Sequence, residues 1–155
     1  MKSNSTAKEQ SLNPDPVART QTAPVIVTDQ LDDRILMALH AAAEKKAFDI
    51  VALDLRDVAT FTDFFVITSG ANERQVQAIS DEIYETLKKN GSTAARVEGY
   101  KTAEWILLDY GDFIVHVFEQ KARQFYDLER LWRESKRVSL PPEFAVESGS
   151  LRRES

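Results

Sequence analysis

Residues 99–132 read GYKTAEWILLDYGDFIVHVFEQKARQFYDLERLW, and the reading of this stretch decides the fold. Two β-type runs, Glu104 to Asp109 and Asp112 to Phe118, flank Tyr110-Gly111, where the glycine supplies the positive φ of a two-residue hairpin turn. With that turn, Asp109 faces Asp112, Leu107 faces Ile114 and Trp105 faces His116. Directly opposed residues share a face of the sheet, so the hairpin sorts into two sides. Ile106, Leu108, Phe113, Val115 and Val117 form an apolar side suited to a core. Trp105, Leu107, Asp109, Asp112, Ile114, His116 and Phe118 form a mixed side, on which the two carboxylates repel unless a basic group lies over them. An aromatic anchor inside a polar rim is the composition of a protein interface.

Beyond the hairpin, Phe125, Leu128 and Leu131 or Trp132 recur at helical spacing as an inward stripe, with Lys121, Arg123, Asp127 and Arg130 outside. Arg123 and Tyr126, beside the end of the second strand, extend the mixed side. The candidate partner-binding set is therefore Trp105, Leu107, Asp109, Tyr110, Asp112, Ile114, His116, Phe118, Arg123 and Tyr126.

Upstream, a helix begins near Thr28 or Asp29, with Asp29, Asp32 and Asp33 in its first turn and Lys45 and Lys46 at its end, each sign complementing the helix dipole. Leu31, Ile35, Ala38, Leu39 and Ala42 make its apolar stripe, and His40 lies off it. Asp49 to Leu55 and Phe64 to Thr68 read as strands, joined too briefly for a crossover helix and hence antiparallel. Asn72 caps the next helix, with Gln75 placed to return the capping bond. Val76, Ile79, Ile83 and Leu87 form its inward face, and Asn90-Gly91 stops it. Thr93 to Val97 reads as a third strand. The result is an α/β fold, a mixed sheet of about five strands packed with helices.

Residues 1–28, rich in Ser, Thr and Pro, are expected to be a disordered tail. They have one Arg and no amphipathic period, so a solvated bacterial extension is favoured over an organelle transit peptide. Residues 133–155, with Pro141-Pro142, are expected to be mostly disordered as well. Each tail region carries a net +1, so the chain's net charge of −5 leaves −7 on residues 29–132. Affinity for phosphate backbones comes from Lys and Arg, so this acidic centre argues against direct nucleic-acid binding and suits a basic protein partner. No run of residues is apolar enough to span a membrane. The absence of cysteine excludes disulfides, thiolate nucleophiles and Cys-based zinc sites.

Catalytic patterns are weak. Ser69-Gly70-Ala71-Asn72 could hold a phosphate at a helix start, yet those residues are also what a strand-to-helix turn with an N-cap requires. Asp54 and Asp57 are three apart, not the two that would point both carboxylates to one face of a strand. Asp-Leu-Arg-Asp reads better as a turn with a local ion pair. No cofactor or metal is expected, and the protein is read as a non-enzyme. The alternative is a nucleotidyltransferase-type enzyme with a phosphate site at Ser69-Gly70.

The segments 52–79 and 99–132, with the words Trp-x-Leu-Leu-Asp-Tyr-Gly-Asp and Phe-Tyr-x-Leu-Glu-x-Leu-Trp, resemble the ribosome silencing factor, or Iojap, family across residues 31–132. The resemblance implies a small α/β domain of nucleotidyltransferase-like fold without transferase activity, and a homodimer when free. It implies binding to large-subunit ribosomal protein fourteen on the subunit-joining face of the large ribosomal subunit. Occupying that face would block the small subunit and repress translation, and organellar relatives assist large-subunit maturation. A bacterial cytoplasmic location is the matching expectation.

Overall fold

A computed structural model describes residues 31–144. The expected N-terminal tail lies outside the described residues. Helix α1 (Asp33–Glu44) starts at Asp32, whose carboxylate accepts a bond from the Arg34 backbone N–H at 2.8 Å. Its expected stripe is buried. Strands β1 (Phe48–Asp54) and β2 (Phe64–Gly70) pair antiparallel, as the short connection predicts. In that connection Arg56 holds Asp54 through Nε and Nη2 at 3.0 and 2.9 Å, the local ion pair expected of Asp-Leu-Arg-Asp.

Helix α2 (Glu73–Lys89) opens with the capping exchange read from the sequence. Asn72 Oδ1 accepts from the Gln75 N–H at 2.9 Å, while Gln75 Oε1 accepts from the Ala71 N–H at 2.7 Å. The amide of Gln75 also donates to the carbonyls of Lys45 and Lys46, which ties the start of α2 to the end of α1. Strands β3 (Arg96–Glu98), β4 (Trp105–Asp109) and β5 (Phe113–Glu119) follow. The chain then forms α3 (Gln120–Tyr126), α4 (Leu128–Leu131) and β6 (Lys136–Arg137). The sheet has six strands in the order β3-β4-β5-β2-β1-β6. Its centre is the parallel pair β2 and β5, and its other pairings are antiparallel.

Three expectations need correction. The hairpin turn is Gly111-Asp112, not Tyr110-Gly111: the Tyr110 N–H donates to the Phe113 carbonyl at 3.0 Å, and Asp109 pairs with Ile114, Leu107 with His116, Trp105 with Phe118. The Asp109 side chain fixes this turn by accepting the Gly111 N–H at 2.8 Å, and Thr62 Oγ1 donates to the Gly111 carbonyl at 2.8 Å. Each residue's partner moves along the strand by two places, an even shift that leaves both sides of the hairpin with the residues assigned to them. Secondly, the last helix is broken in two at Asp127, which adopts the left-handed conformation with φ of 49°. Phe125 and Leu131 consequently point outward, and Leu128 alone of the expected stripe is fully buried. Thirdly, part of the expected C-terminal tail is packed: β6 extends the sheet beside β1, and Val138 and Phe144 are buried in the main core.

Helices α1 and α2 cover one face of the sheet, and the main core lies between them and Phe64, Val66, Ile106, Leu108, Phe113, Val115 and Val117. The other face carries a smaller core of Leu53, Leu55, Phe65, Ile67, Ile114, Phe118 and Leu128. Among the described residues the short α3 and α4, the Trp132 side chain and the β1–β2 connection, through Ala59 and Phe61, lie against that second face.

Two glycines test the backbone. Gly99 and Gly111 have φ of 82° and 87°, the region where a side chain is strained. A Cβ on Gly99 would stand 2.1 Å from the Trp105 carbonyl oxygen, whereas one on Gly111 would meet open space. Gly111→Ala should therefore cost about 1 kcal/mol, and Gly99→Ala clearly more, about 3 kcal/mol. Urea unfolding of both variants checks this, and equal losses would rule out the close approach as the cause.

Candidate functional site

Alternation along three neighbouring strands sends Phe65 and Ile67, Trp105 and Leu107, and Ile114, His116 and Phe118 to the sheet face away from α1 and α2. At its centre Trp105 Nε1 donates to His116 Nδ1 at 3.0 Å. Accepting at Nδ1 makes the imidazole neutral, with its proton on Nε2. Trp105 stacks on Phe118 at 4.8 Å and touches Tyr126 at 4.9 Å, and Tyr126 meets Phe125 edge-on at 5.0 Å. On the other side Phe65 stands edge-on to His116 at 4.4 Å, Trp132 packs on Phe65 at 5.8 Å, and Phe61 packs on Trp132 at 5.8 Å. A continuous run of rings thus crosses the face from Phe61 to Phe125.

The run is open at its ends. Phe125 is 79% exposed, Leu131 74%, Phe61 57% and Tyr126 44%, with Trp105, Leu107 and Trp132 half-buried between them. Large apolar side chains this exposed and this close together mark interaction sites. The break at Asp127 creates the patch: a continuous helix would turn its Phe/Leu/Trp stripe inward, whereas the left-handed residue redirects α4.

Arg123 fixes the break from beneath. Its guanidinium donates to the Ser69 hydroxyl at 2.9 Å, to the Asp49 carbonyl, and to Glu129 at 2.7 Å. Burial works to raise the Glu129 pKa, but the hydrogen bond and charge of Arg123 outweigh it and hold the carboxyl below its usual range. This network lines a polar depression of about 520 Å³ beyond the carboxyl ends of β2 and β5. The Ser69 hydroxyl considered for phosphate binding is buried there and engaged by Arg123.

The structure gathers Trp105, Leu107, Asp109, Ile114, His116, Phe118 and Tyr126 on one face, and separates the rest of the expected set. Tyr110 packs into the main core on the opposite side of the sheet, stacked on Phe113 at 4.9 Å, and burial pushes its hydroxyl pKa up to about 12. Asp112 sits in the turn and is bound by Arg34 at 2.8 Å. Asp109 is bound by Arg96 at 3.2 Å, so the two acids do not confront each other and each has a basic partner within the chain. Arg123 is a buried tie. Ile114, His116 and Phe118 are themselves buried, so within this chain they support the surface and do not form it. Phe61, Phe125 and Trp132 complete the exposed face, and Leu131 is exposed on the neighbouring α4. Phe61 carried a signal in the sequence, the one aromatic of the connection 55–63, set between Thr60 and Thr62.

Fold and face together define a small mixed α/β domain with a preformed, rigid aromatic surface of the kind that macromolecular interfaces use. A family model described as ribosomal silencing factor during starvation matches residues 28–154. Ribosomal silencing factor RsfS of Halalkalibacterium halodurans is 41% identical over 104 residues, which cover 67% of this chain and 89% of that protein. A mouse protein named mitochondrial assembly of ribosomal large subunit protein 1 is 28% identical over 99 residues, 62% of this chain and 43% of its own length. A crystal structure of a protein from Bacillus halodurans is similar with a TM-score of 0.63 at 40% identity, over 70% of this chain and 98% of that one. The chain belongs to the ribosomal silencing factor family. Among the described residues no helix is long and apolar enough to cross a membrane.

The His116–Trp105 bond gives the face a pH signature. Burial pushes the His116 pKa down to about 3, whereas the unfolded imidazole titrates near 6.5. Below about pH 6.5 the unfolded chain takes up a proton that the folded chain refuses. The stability of the neutral form is therefore full above that pH and drains as pH falls toward 3. His116→Gln keeps an acceptor for Trp105 and removes the titration. Between about pH 7.5 and 5.5 the wild type should lose about 1.4 kcal/mol more than this variant in urea unfolding, and parallel losses would contradict a buried neutral histidine.

Proposed function

We propose that this protein is a non-enzymatic translational repressor that docks on the large ribosomal subunit through the aromatic face. Large-subunit ribosomal protein fourteen, on the subunit-joining side, is its contact, and a bound copy excludes the small subunit by occupying space. The observation that carries this reading is the exposed patch of Phe61, Phe125, Tyr126 and Leu131 around half-buried Trp105, held in one arrangement by buried rings beneath it. Rigid aromatic groups bind with little loss of side-chain freedom. The −7 charge of residues 29–132 suits a basic ribosomal partner. Membership of the silencing family supports the role, and the name of the mouse relative supports a further part in large-subunit maturation.

The same reading takes the free protein as a cytoplasmic homodimer and its fold as a nucleotidyltransferase relative without the transferase chemistry. Carboxylates that such chemistry would use are committed elsewhere: Asp54 to Arg56, and Asp57 to Lys136 at 3.0 Å.

Phe125 and Leu131 test the docking face cleanly, because both are largely outside the cores. Phe125→Ala and Leu131→Ala should each leave the folded protein intact and weaken cosedimentation with purified large subunits about tenfold or more. Trp105→Ala should weaken binding further but also lower stability, since its ring packs on Phe118. Undiminished binding by a folded Phe125→Ala/Leu131→Ala double variant would sink the assignment of this face.

A further inference from the structure

The sheet ends at β3, and among the described residues no strand pairs with its outer side. Arg96, Val97 and Glu98 are all exposed. The backbone groups of such an edge are a template for an added strand. Which strand it accepts depends on the side chains beside it. Directly paired residues share a face of the sheet. Val97, opposite Leu108, therefore looks to the helix side, while Arg96 and Glu98, opposite Asp109 and Leu107, look to the other.

On the helix side Val97 borders a groove of about 260 Å³ whose far wall is α2. Tyr84 and Tyr100 give the groove two aromatic walls, and Asp81 and Glu85 supply its charges. No basic residue lines it among the described residues. Val97 and Tyr100 are 42% and 39% exposed, so the groove is open to solvent. Its shape is fixed from within the chain. The Tyr100 hydroxyl donates to Asp81 at 3.1 Å, and the Gln77 amide donates to the Tyr100 carbonyl at 2.9 Å, which pins the loop after β3 to α2.

The chemistry of the groove selects a cation. Asp81 and Glu85 are one helical turn apart, a spacing at which like charges repel. A positive group between them removes that repulsion, and the flanking tyrosine rings add attraction through their π faces. Tyr84 already draws such a group from its own helix, with Lys88 Nζ 5.9 Å from the ring centroid. An arginine suits the space best, because its flat guanidinium stacks on a ring while its N–H groups bond carboxylates. A residue added across from Val97 points to the same side of the sheet as Val97, toward this groove.

We propose that the β3 edge and this groove together bind an extended segment of a partner protein, which joins the sheet as an antiparallel strand and sets an arginine side chain between Tyr84, Tyr100, Asp81 and Glu85. Strand addition takes affinity from main-chain bonds and specificity from a side-chain pocket. The flanking positions add to the selection: a base is favoured opposite Glu98 and an acid opposite Arg96. The groove opens on the helix side, away from the aromatic face, so this contact is separate from the docking surface proposed above.

The probe is the end-blocked, fluorescein-labelled peptide Thr-Val-Lys-Arg-Glu-Val-Thr, titrated with the full chain and followed by fluorescence anisotropy. Its order sets Lys opposite Glu98, Arg opposite Val97 and Glu opposite Arg96. Binding should saturate below about 1 mM protein. An Asp81→Asn/Glu85→Gln double variant, altered only at exposed positions, should bind about tenfold more weakly or worse. A peptide with Leu in place of its Arg should show the same loss on the wild type and no further loss on the double variant. Methylating the three central backbone nitrogens of the peptide keeps its charges and should also weaken binding about tenfold, which separates strand pairing from charge attraction. Amide hydrogen exchange at residues 96–98 should slow in the complex. No binding at about 1 mM overturns the proposal, as does binding that the double variant or the methylated peptide leaves unchanged. A peptide that binds only after dilution has dissociated a dimer assigns the edge to a second copy and overturns it too. None of these readouts involves the ribosome, so they are independent of the Phe125 and Leu131 variants.

Discussion

Everything in this structure leans on the parallel pairing of β2 with β5, which runs without interruption from Phe64 beside Phe113 to Gly70 beside Glu119. A parallel pair cannot be closed by a local turn. Here the chain must place α2, β3 and β4 between the two strands before they can meet. Both strands are buried along nearly their whole length, so both faces of the sheet need a cover. Helices α1 and α2 provide a full cover on one side. The other side receives two short helices, a tryptophan and the β1–β2 connection, and this shortage of helix is the physical origin of the aromatic face.

That face is not a loose patch. A buried histidine accepts the indole N–H, one ring stacks on the next, and the left-handed Asp127 with its Arg123 support decides which side chains end outside. The surface groups are therefore already in position, and the proposed docking would have little order to create. The acids beside them are tethered by arginines of the same chain, so a basic partner would exchange ion pairs more than gain new ones. Affinity from the apolar contacts and orientation from the charged ones is the division of labour such a surface supports.

How much was legible in the sequence depended on the range of the forces involved. The caps and stripes of α1 and α2 were readable because they are local: Asn72 and Gln75 meet within one turn. The two sides of the hairpin were also readable, since an even change of register cannot move Trp105 or Leu107 to the other side of a strand. The position of the turn was not, because a side-chain bond from Asp109 overrides the preference of Tyr110-Gly111. The burial of Ile114, His116 and Phe118 was hidden for another reason: it depends on where α3 and α4 lie, and that follows from one backbone angle at Asp127. Strand β6 was invisible because two residues, Lys136-Arg137, carry no periodicity, and Pro141-Pro142 dominate the composition around them.

Strand β6 and Phe144 have a consequence for how the protein is made. Lys136 and Arg137 close the outer edge of β1, a strand completed more than eighty residues earlier, and Phe144 fills a place in the first core beside His40. Synthesis runs from the N-terminus, and long-range pairs form only after both partners have emerged. The nascent domain must therefore wait, with one sheet edge unprotected and a hole in its core, until Phe144 has left the exit tunnel. The fold of a protein whose family is named for silencing ribosomes is thus completed by the segment of its described residues that its own ribosome makes last.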